Sequence, residues 1–349
     1  MIKKKKIGVL GGGQLGMFLC IAAKRIGKEI TVYSESSEFS AEKFANNYFI
    51  GKYLDFSKMD KFLNEVDLVT IETENIPLDT LHYINKKKPL FPSLFAIEKA
   101  QHRDKEKEFL NVVVGLRTAN YRLINSYSDL LEAFNDFEKK TIIKSCEQGY
   151  DGKNQYTINS QNINEFRNFN FNDFIAEEIV EFKKEISVIV YRDIYGNVMN
   201  YPPVENNHKD KILSETIFPA KINKKSHEKA ICYAKRIICS LNMVGLLAVE
   251  MFLLKNNDII INELAPRPHN SGHWTLDCCD LNQFDNLILT ICGYKVQQPK
   301  INTPRCKMIN IIGENYNKIN NFKDYKFYDY YKKKLLPKRK MGHLIKKFE

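Results

Sequence analysis

"LLAVEMFLLKNNDIIINELAPRPHNSGHWT", residues 246–275, decides how this chain is read. Two apolar runs flank "KNND", and Asn-Asn suits a tight hairpin turn because asparagine tolerates positive φ. With Asn256 and Asn257 as the turn, Lys255 pairs with Asp258 and Glu250 with Glu263. Directly opposed residues on antiparallel strands have Cβ atoms about 5 Å apart. Carboxylates that close repel and raise each other's pKa. A divalent cation between them removes the penalty. Oxygen-only ligands favour Mg2+, with Mn2+ as the alternative, and such ions commonly share their shell with substrate phosphates. The plain alternative is an exposed acidic pair at a sheet edge, which the apolar neighbours of Glu250 argue against.

After Glu263 come Pro266, Arg267, Pro268, His269, Asn270, His273 and the only tryptophan, Trp274. The prolines restrict the backbone, so Arg267 and His269 need little reordering to meet a small anion. The His269–His273 spacing would suit zinc, but the chain has no CxxC pair to complete such a site.

The first hundred residues alternate strand and helix: "KIGVLG", "QLGMFLCIAAKRIG" closed by Gly27, "EITVYS", then "DLVTIE". That order predicts a parallel sheet with right-handed crossovers. Gly11 to Gly16 form a G-x-G-x-x-G at the first strand-to-helix turn, and Glu35 follows the second strand, so a dinucleotide dehydrogenase is an open alternative. A break at "KKKPLFPS" (86–93) marks a boundary, and a charged helix is expected over about 96–111. No G-x-x-x-x-G-K-[ST] loop occurs. In "TIIKSCEQGYDGKNQY" (141–156) a strand ends in Lys144 and leads to a loop with Gly149, Gly152 and Lys153. Such a loop can close over phosphates, and a glycine hairpin with solvated lysines remains the alternative. Glu185, ending an apolar run, has the chemistry to take ribose hydroxyls.

The net charge is +11, but the lysines are dispersed, which argues for a solvated basic surface rather than nucleic-acid binding. The start mimics a signal peptide until three glycines and Gln14 interrupt it, and no segment is apolar enough for a membrane span. Eight irregularly spaced cysteines predict reduced thiols in a cytoplasmic protein.

"GGGQLG", "ENIP", "GYDGKNQ", "EEIVEFKKEISVIV", "YPPVENNHKDKIL", "NELAPRPHNSGHWT", "QF" (283–284) and "RKMGH" (339–343) stand in the order seen in the N5-carboxyaminoimidazole ribonucleotide synthases, which this chain resembles over essentially its whole length. The resemblance implies an α/β and α+β protein: a Rossmann-like domain (1–100), small and large ATP-grasp subdomains (101–180 and 181–292), and a C-terminal β-rich substrate-binding segment (293–349). It implies an ATP-dependent ligase of purine biosynthesis acting on bicarbonate and 5-aminoimidazole ribonucleotide, working as a homodimer. Other ATP-grasp carboxylases and formate-dependent ligases are the neighbouring alternatives.

Carried over by position, Arg103, Lys144 and Gly149, Tyr150, Asp151, Gly152, Lys153, Asn154 and Gln155 would contact ATP. Glu177, Glu178, Ile179 and Val180 would form the adenine hinge, Glu185 would take the ribose, and His208, Asn262 and Glu263 would lie at the nucleotide. Glu250 and Glu263 would hold Mg2+. Arg267, His269 and Asn270 would surround bicarbonate or the carboxyphosphate made from it. Gln14, Leu15, Lys333, Arg339 and Lys340 would hold the ribonucleotide, which makes "KKKLLPKRKMGH" (332–343) a substrate clamp. The chain departs from the family pattern at Gln148 and Asn154, where glycines are usual, and at "LPKRK", which leaves Lys332 and Lys333 as rival counterparts.

Overall fold

The computed structural model describes residues 5–147 and 154–349. The candidates Gly149, Tyr150, Asp151, Gly152 and Lys153 lie outside the described residues, as does Gln148.

The expected parallel sheet is present. Strands β1 (Lys6–Leu10), β2 (Glu29–Ser34), β3 (Asn47–Ile50), β4 (Leu68–Ile71) and β5 (Leu90–Phe91) lie in the order β3-β2-β1-β4-β5. β4 is buried along its whole length, as a strand covered on both faces must be. The chain leaves β1 in one direction and β4 in the other, so a crevice opens at their carboxyl ends. Helix Gln14–Arg25 starts at that crevice.

The charged helix expected over 96–111 is instead two helices, Leu94–Gln101 and Arg103–Glu108. His102 between them is extended because the Arg103 amide donates to the Cys146 carbonyl (3.0 Å) in the next sheet. That sheet is antiparallel: β6 (Tyr121–Ile124), β7 (Thr141–Ser145), β8 (Gln155–Ile158) and β9 (Phe174–Glu178), in the order β6-β9-β7-β8.

A large sheet carries the rest. Its strands are β10 (Phe182–Arg192), β11 (Val198–Asn200), β12 (Val204–Lys209), β13 (Ile212–Phe218), β14 (Gly245–Leu254), β15 (Ile259–Ala265), β16 (Arg305–Ile312), β17 (Lys326–Asp329) and β18 (Lys340–Phe348). The order is β15-β14-β10-β12-β13-β16-β18-β17, with β11 paired to β10. Helix Lys224–Ser240 buries Ala230, Ala234, Ile237 and Ile238 against β10 and β14. Helix Gln14–Arg25 packs against helix Gln283–Ile291, and Arg25 pairs with the buried Asp285. Those contacts tie the parallel sheet to the large one.

The β14–β15 hairpin differs from its expected form. Its loop has three residues, Lys255 to Asn257, closed by the Leu254 amide donating to the Asp258 carbonyl at 2.8 Å, with Asn257 at φ +64°. A left-handed third residue is usual in such loops. Lys255 and Asp258 are therefore not a cross-strand pair. The register runs Leu253↔Ile259 and Met251↔Ile261, and then a bulge at Asn262 restores Glu250↔Glu263.

No described helix is long and apolar enough to cross a membrane, and all eight cysteines are free thiols.

Candidate functional site

Strand register alone assembles a polar row that runs from beneath the sheet face up to the site. Thr216 opposes Asn206, Asn206 opposes Glu185, Ser187 opposes Glu250, and Glu250 opposes Glu263. Glu185 and Ser187 are two apart on β10, so the whole polar row shares one sheet face. The bulge lets consecutive residues Asn262 and Glu263 both face the cleft above that row. The cleft encloses about 1200 Å3 and is walled by all three sheets and the segment before β18.

The two opposed carboxylates are in an uneasy state. Burial raises the pKa of Glu250, Glu263 raises it further, and the charge of His208 works against both. Glu106 is also buried here, pushed up to about 8 by burial and by Glu263, with Arg103 opposing. It accepts the Leu264 amide at 2.6 Å. His208 forms an ion pair with Glu185; burial lowers its pKa, but Glu185 and Glu250 more than offset this. The sequence placed Glu185 at a ribose and His208 at the nucleotide, and the structure joins them to each other.

A cationic wall faces the floor. Lys144 Nζ lies 2.9 Å and Lys107 Nζ 3.3 Å from the same Glu177 oxygen. Burial would raise Glu177, but Lys107, Lys144 and Arg103 reverse that and hold it at about 2. Arg103 Nη1 reaches Glu263 at 3.4 Å. Asn154 adopts φ +51°, a left-handed conformation that asparagine tolerates better than most residues, which accounts for its standing where the family has glycine. Gln155 lines the cleft, and its carbonyl accepts from Lys211 Nζ at 3.0 Å.

The proline-framed loop is held from several sides. Arg267 forks onto Glu74, with Nη2 2.9 Å from Oε1 and Nε on Oε2. Burial raises Glu74, but the guanidinium lowers it more, so its pKa ends below the ordinary value. The Gln283 amide fastens His269 by both its backbone groups: Oε1 accepts its N–H at 2.9 Å and Nε2 donates to its carbonyl at 2.8 Å. The His269 ring has Nδ1 2.8 Å from Ser271 Oγ and Nε2 3.3 Å from Glu250. Burial and then Arg267 hold its pKa well below the ordinary value, which favours the neutral imidazole.

At the crevice end, Glu72 fills the glycine-rich turn. Its carboxylate accepts the amides of Gly13 (2.5 Å) and Gly16 (2.6 Å), and a Cβ on Gly13 would lie 2.7 Å from Glu72 Oε1. Glu35 accepts the Tyr53 amide at 2.9 Å. Both features behind the dehydrogenase alternative are thus occupied by the protein's own groups. Gln14 and Leu15, beside this turn, line the cleft. Opposite them stand Lys332, Arg339 and Lys340. The segment carrying them is ordered: Lys332 Nζ donates to the Lys340 carbonyl (2.8 Å) and Arg339 Nη1 to the Lys334 carbonyl (3.0 Å).

Two groups of candidates lie elsewhere. Glu177 to Val180 border the cleft rather than line it: the amides of Glu178 and Ile179 bond the carbonyls of Asn120 (2.9 Å) and Lys140 (3.0 Å), and the Glu177 carboxylate holds Lys144, which does line it, and Lys107. Lys333 points to solvent, and Lys332 takes the cleft position. The sequence reading missed Glu72, Glu74, Glu106, Lys107 and Lys211. Of these, Glu72 carried a usable signal, an acid at the carboxyl end of a strand beside a glycine turn.

Three family models match the chain: the ribonucleotide synthetase preATP-grasp domain over residues 4–101, the ATP-grasp domain over 110–284, and the phosphoribosylaminoimidazole carboxylase C-terminal domain over 306–346. The N5-carboxyaminoimidazole ribonucleotide synthase of Bacillus subtilis is 34% identical over 344 residues, spanning 97% of this chain and 90% of the relative. The crystal structure of N5-carboxyaminoimidazole synthetase from Staphylococcus aureus complexed with ADP superposes with a TM-score of 0.93 at 30% identity, covering 99% of this chain and 93% of that one. The Aspergillus clavatus N5-carboxyaminoimidazole synthase, in complex with ADP and 5-aminoimidazole ribonucleotide, gives 0.91 at 27% identity over 100% and 95%. With its Rossmann-like first sheet, clamped ATP-grasp sheets and β-rich C-terminal unit, this chain belongs to the N5-carboxyaminoimidazole ribonucleotide synthase family of ATP-grasp ligases.

Proposed function

We propose that the protein converts ATP, bicarbonate and 5-aminoimidazole ribonucleotide into ADP, phosphate and N5-carboxyaminoimidazole ribonucleotide. The observation that carries this reading is the convergence, around one cleft, of an opposed carboxylate pair, an Arg267–His269 wall and a basic clamp. Lys144 and Arg103 take the ATP phosphates. Burial lowers the Lys144 pKa, and Glu177 opposes that while aiming the amine at 2.9 Å. The Glu250–Glu263 pair fits Mg2+: a largely buried carboxylate and the cleft-facing one opposite it repel until a cation joins them. Mg2+ bound there supplies charge neutralisation to the terminal phosphates.

Bicarbonate, oriented by Arg267, attacks the γ-phosphorus in line, with ADP leaving. Glu74 fixes the Nε–Nη2 edge of the guanidinium and the Pro268 carbonyl accepts from Nη1 at 3.1 Å, which together direct its remaining N–H groups. The resulting carboxyphosphate, or CO2 released from it, is captured by the ribonucleotide's amine. No protein nucleophile is needed, since positioning and charge supply the acceleration. Lys332, Arg339 and Lys340 hold the remote phosphate, and that binding energy orients the amine. Free buried thiols support a cytoplasmic setting, and the exposed pair Val112–Val113 supports burial of that corner in a homodimer.

The test is ADP release measured with each substrate omitted in turn. Release that depends on both bicarbonate and the aminoimidazole ribonucleotide is expected. Release with bicarbonate but indifferent to the ribonucleotide would reassign the protein to another ATP-grasp carboxylase.

A further inference from the structure

The large sheet buries polar side chains that an apolar core does not need. Thr216 on β13, Asn206 on β12, Ser187 on β10 and Ser271 in the turn after β15 are 0%, 3%, 0% and 0% exposed. They form one continuous line. Thr216 Oγ1 donates to Asn206 Oδ1 at 3.0 Å, Asn206 Nδ2 to Ser187 Oγ at 2.9 Å, and Ser187 Oγ to Ser271 Oγ at 2.8 Å. Ser271 Oγ lies 2.8 Å from His269 Nδ1.

The line has a direction. An amide oxygen only accepts and an amide nitrogen only donates, so Asn206 sets the polarity at both its ends. Ser187 accepts from Asn206 and donates its single O–H to Ser271. Ser271 accepts that hydrogen bond and donates its own O–H to Nδ1. The Ser271 backbone N–H also points at Nδ1, at 3.4 Å. With Nδ1 accepting, a neutral imidazole carries its proton on Nε2, the atom facing Glu250 at 3.3 Å. Close approach of two segments makes this possible. A Cβ on Gly272 would fall 2.3 Å from the Ile189 side chain and 2.5 Å from the Gln283 amide, so a larger residue would have to displace one of them before the turn could settle onto β10 and bring Ser271 to Ser187.

We propose that Thr216, Asn206, Ser187 and Ser271 are positioning residues: a directional hydrogen-bond line that holds the His269 ring in one orientation with its proton on Nε2. Buried polar groups linked in series reinforce one another, and breaking one leaves the others to find new partners. The line reaches the cleft only through His269, so its effect on catalysis rests on the carboxylation reading, whereas its effect on the ring does not.

The experiment has two arms on the full-length chain. In the first, 15N-histidine NMR identifies the His269 ring by its loss in His269→Gln. The wild type is expected to show a bare Nδ1 and a protonated Nε2, and Ser187→Ala, two bonds away from the ring, to show a mixture of tautomers. In the second, Thr216→Val, which keeps shape but removes the hydroxyl, is expected to lower kcat ~10-fold with KM for ATP unchanged, as loss of an outer partner does. Thr216→Ser restores the hydroxyl and the rate. A His269 ring with the same tautomer in Ser187→Ala and Ser271→Ala as in the wild type overturns the proposal, even in an active enzyme. A chain with no carboxylating activity but the expected tautomer shift would sink the functional reading and leave the line standing.

Discussion

Glu250 faces Glu263 across the β14–β15 ladder because Asn262 is bulged out of it. The three-residue loop alone would set Glu250 opposite Asn262, and the extra residue moves the second carboxylate into place. The pair is therefore a product of backbone geometry at two separate points, the loop and the bulge.

If that pair holds the metal, Glu250→Gln and Glu263→Gln should each lower turnover by roughly 100-fold or more. Thermal stability without ligand should stay nearly level, since each change removes a repelling charge while Glu263→Gln also weakens the contact to Arg103. Melting curves and steady-state rates on the same preparations check this. A variant that melts early yet turns over normally in its folded fraction would end the metal assignment.

Arg267 and Glu74 are a largely buried fork, so Arg267→Ala should lose coupled ADP formation and also destabilise by ~2–3 kcal/mol, toward the lower end for a buried ion that loses its partner. The double variant Arg267→Met with Glu74→Gln should recover the stability and not the activity. Recovery of both would reduce the guanidinium to a structural part.

Arg339→Ala should weaken the ribonucleotide by ~2 kcal/mol while leaving ATP affinity near wild type, as loss of one charge-assisted contact would. Lys332→Ala should follow it and Lys333→Ala should not, because only the first lines the cleft. Michaelis constants for both substrates in the three variants make the comparison.

His273 is buried beneath the same loop. Burial and then Lys340 hold it at about 3, with Nδ1 3.2 Å from Gln283 Nε2 and the ring stacked on His343 at 4.7 Å. Its folded pKa lies below the unfolded value of about 6.5, so the unfolded chain binds the extra proton between those limits. Stability from this group is complete above that range and is lost as pH falls, by ~2 kcal/mol at pH ~5. Glu106, with its raised pKa, works in the opposite sense over part of the range. The test is therefore a difference: His273→Phe should lose less stability between pH ~7 and pH ~5 than the wild type. Parallel curves would contradict the neutral imidazole.

The parallel sheet, the hairpin and the proline-framed loop were legible because periodicity, glycine turns and prolines act within a few residues. The carboxylate pair was placed correctly through two compensating departures: a two-residue turn was counted where three occur, and no periodicity reveals the bulge at Asn262. What was not legible depends on distant partners. Nothing local in "TENIP" says that Glu74 meets Arg267, and Glu177 reads like a strand end until Lys107 and Lys144 are brought to it. The split of the charged helix at His102 follows from contacts far out of local range, the Arg103 amide to Cys146 and the His102 ring to Asp173 at 3.0 Å.

β18, late in the sequence, lies between β16 and β17 rather than at an edge. Synthesis therefore delivers the sheet with its inner strand missing, and β16 and β17 cannot be joined until Lys340–Phe348 has left the ribosome. The parallel sheet, contained within residues 6–91, has all its strands much earlier. Folding is thus expected to proceed in two stages, with β16 and β17 exposing unpaired edges in the interval, a period in which nascent chains are prone to pair with one another.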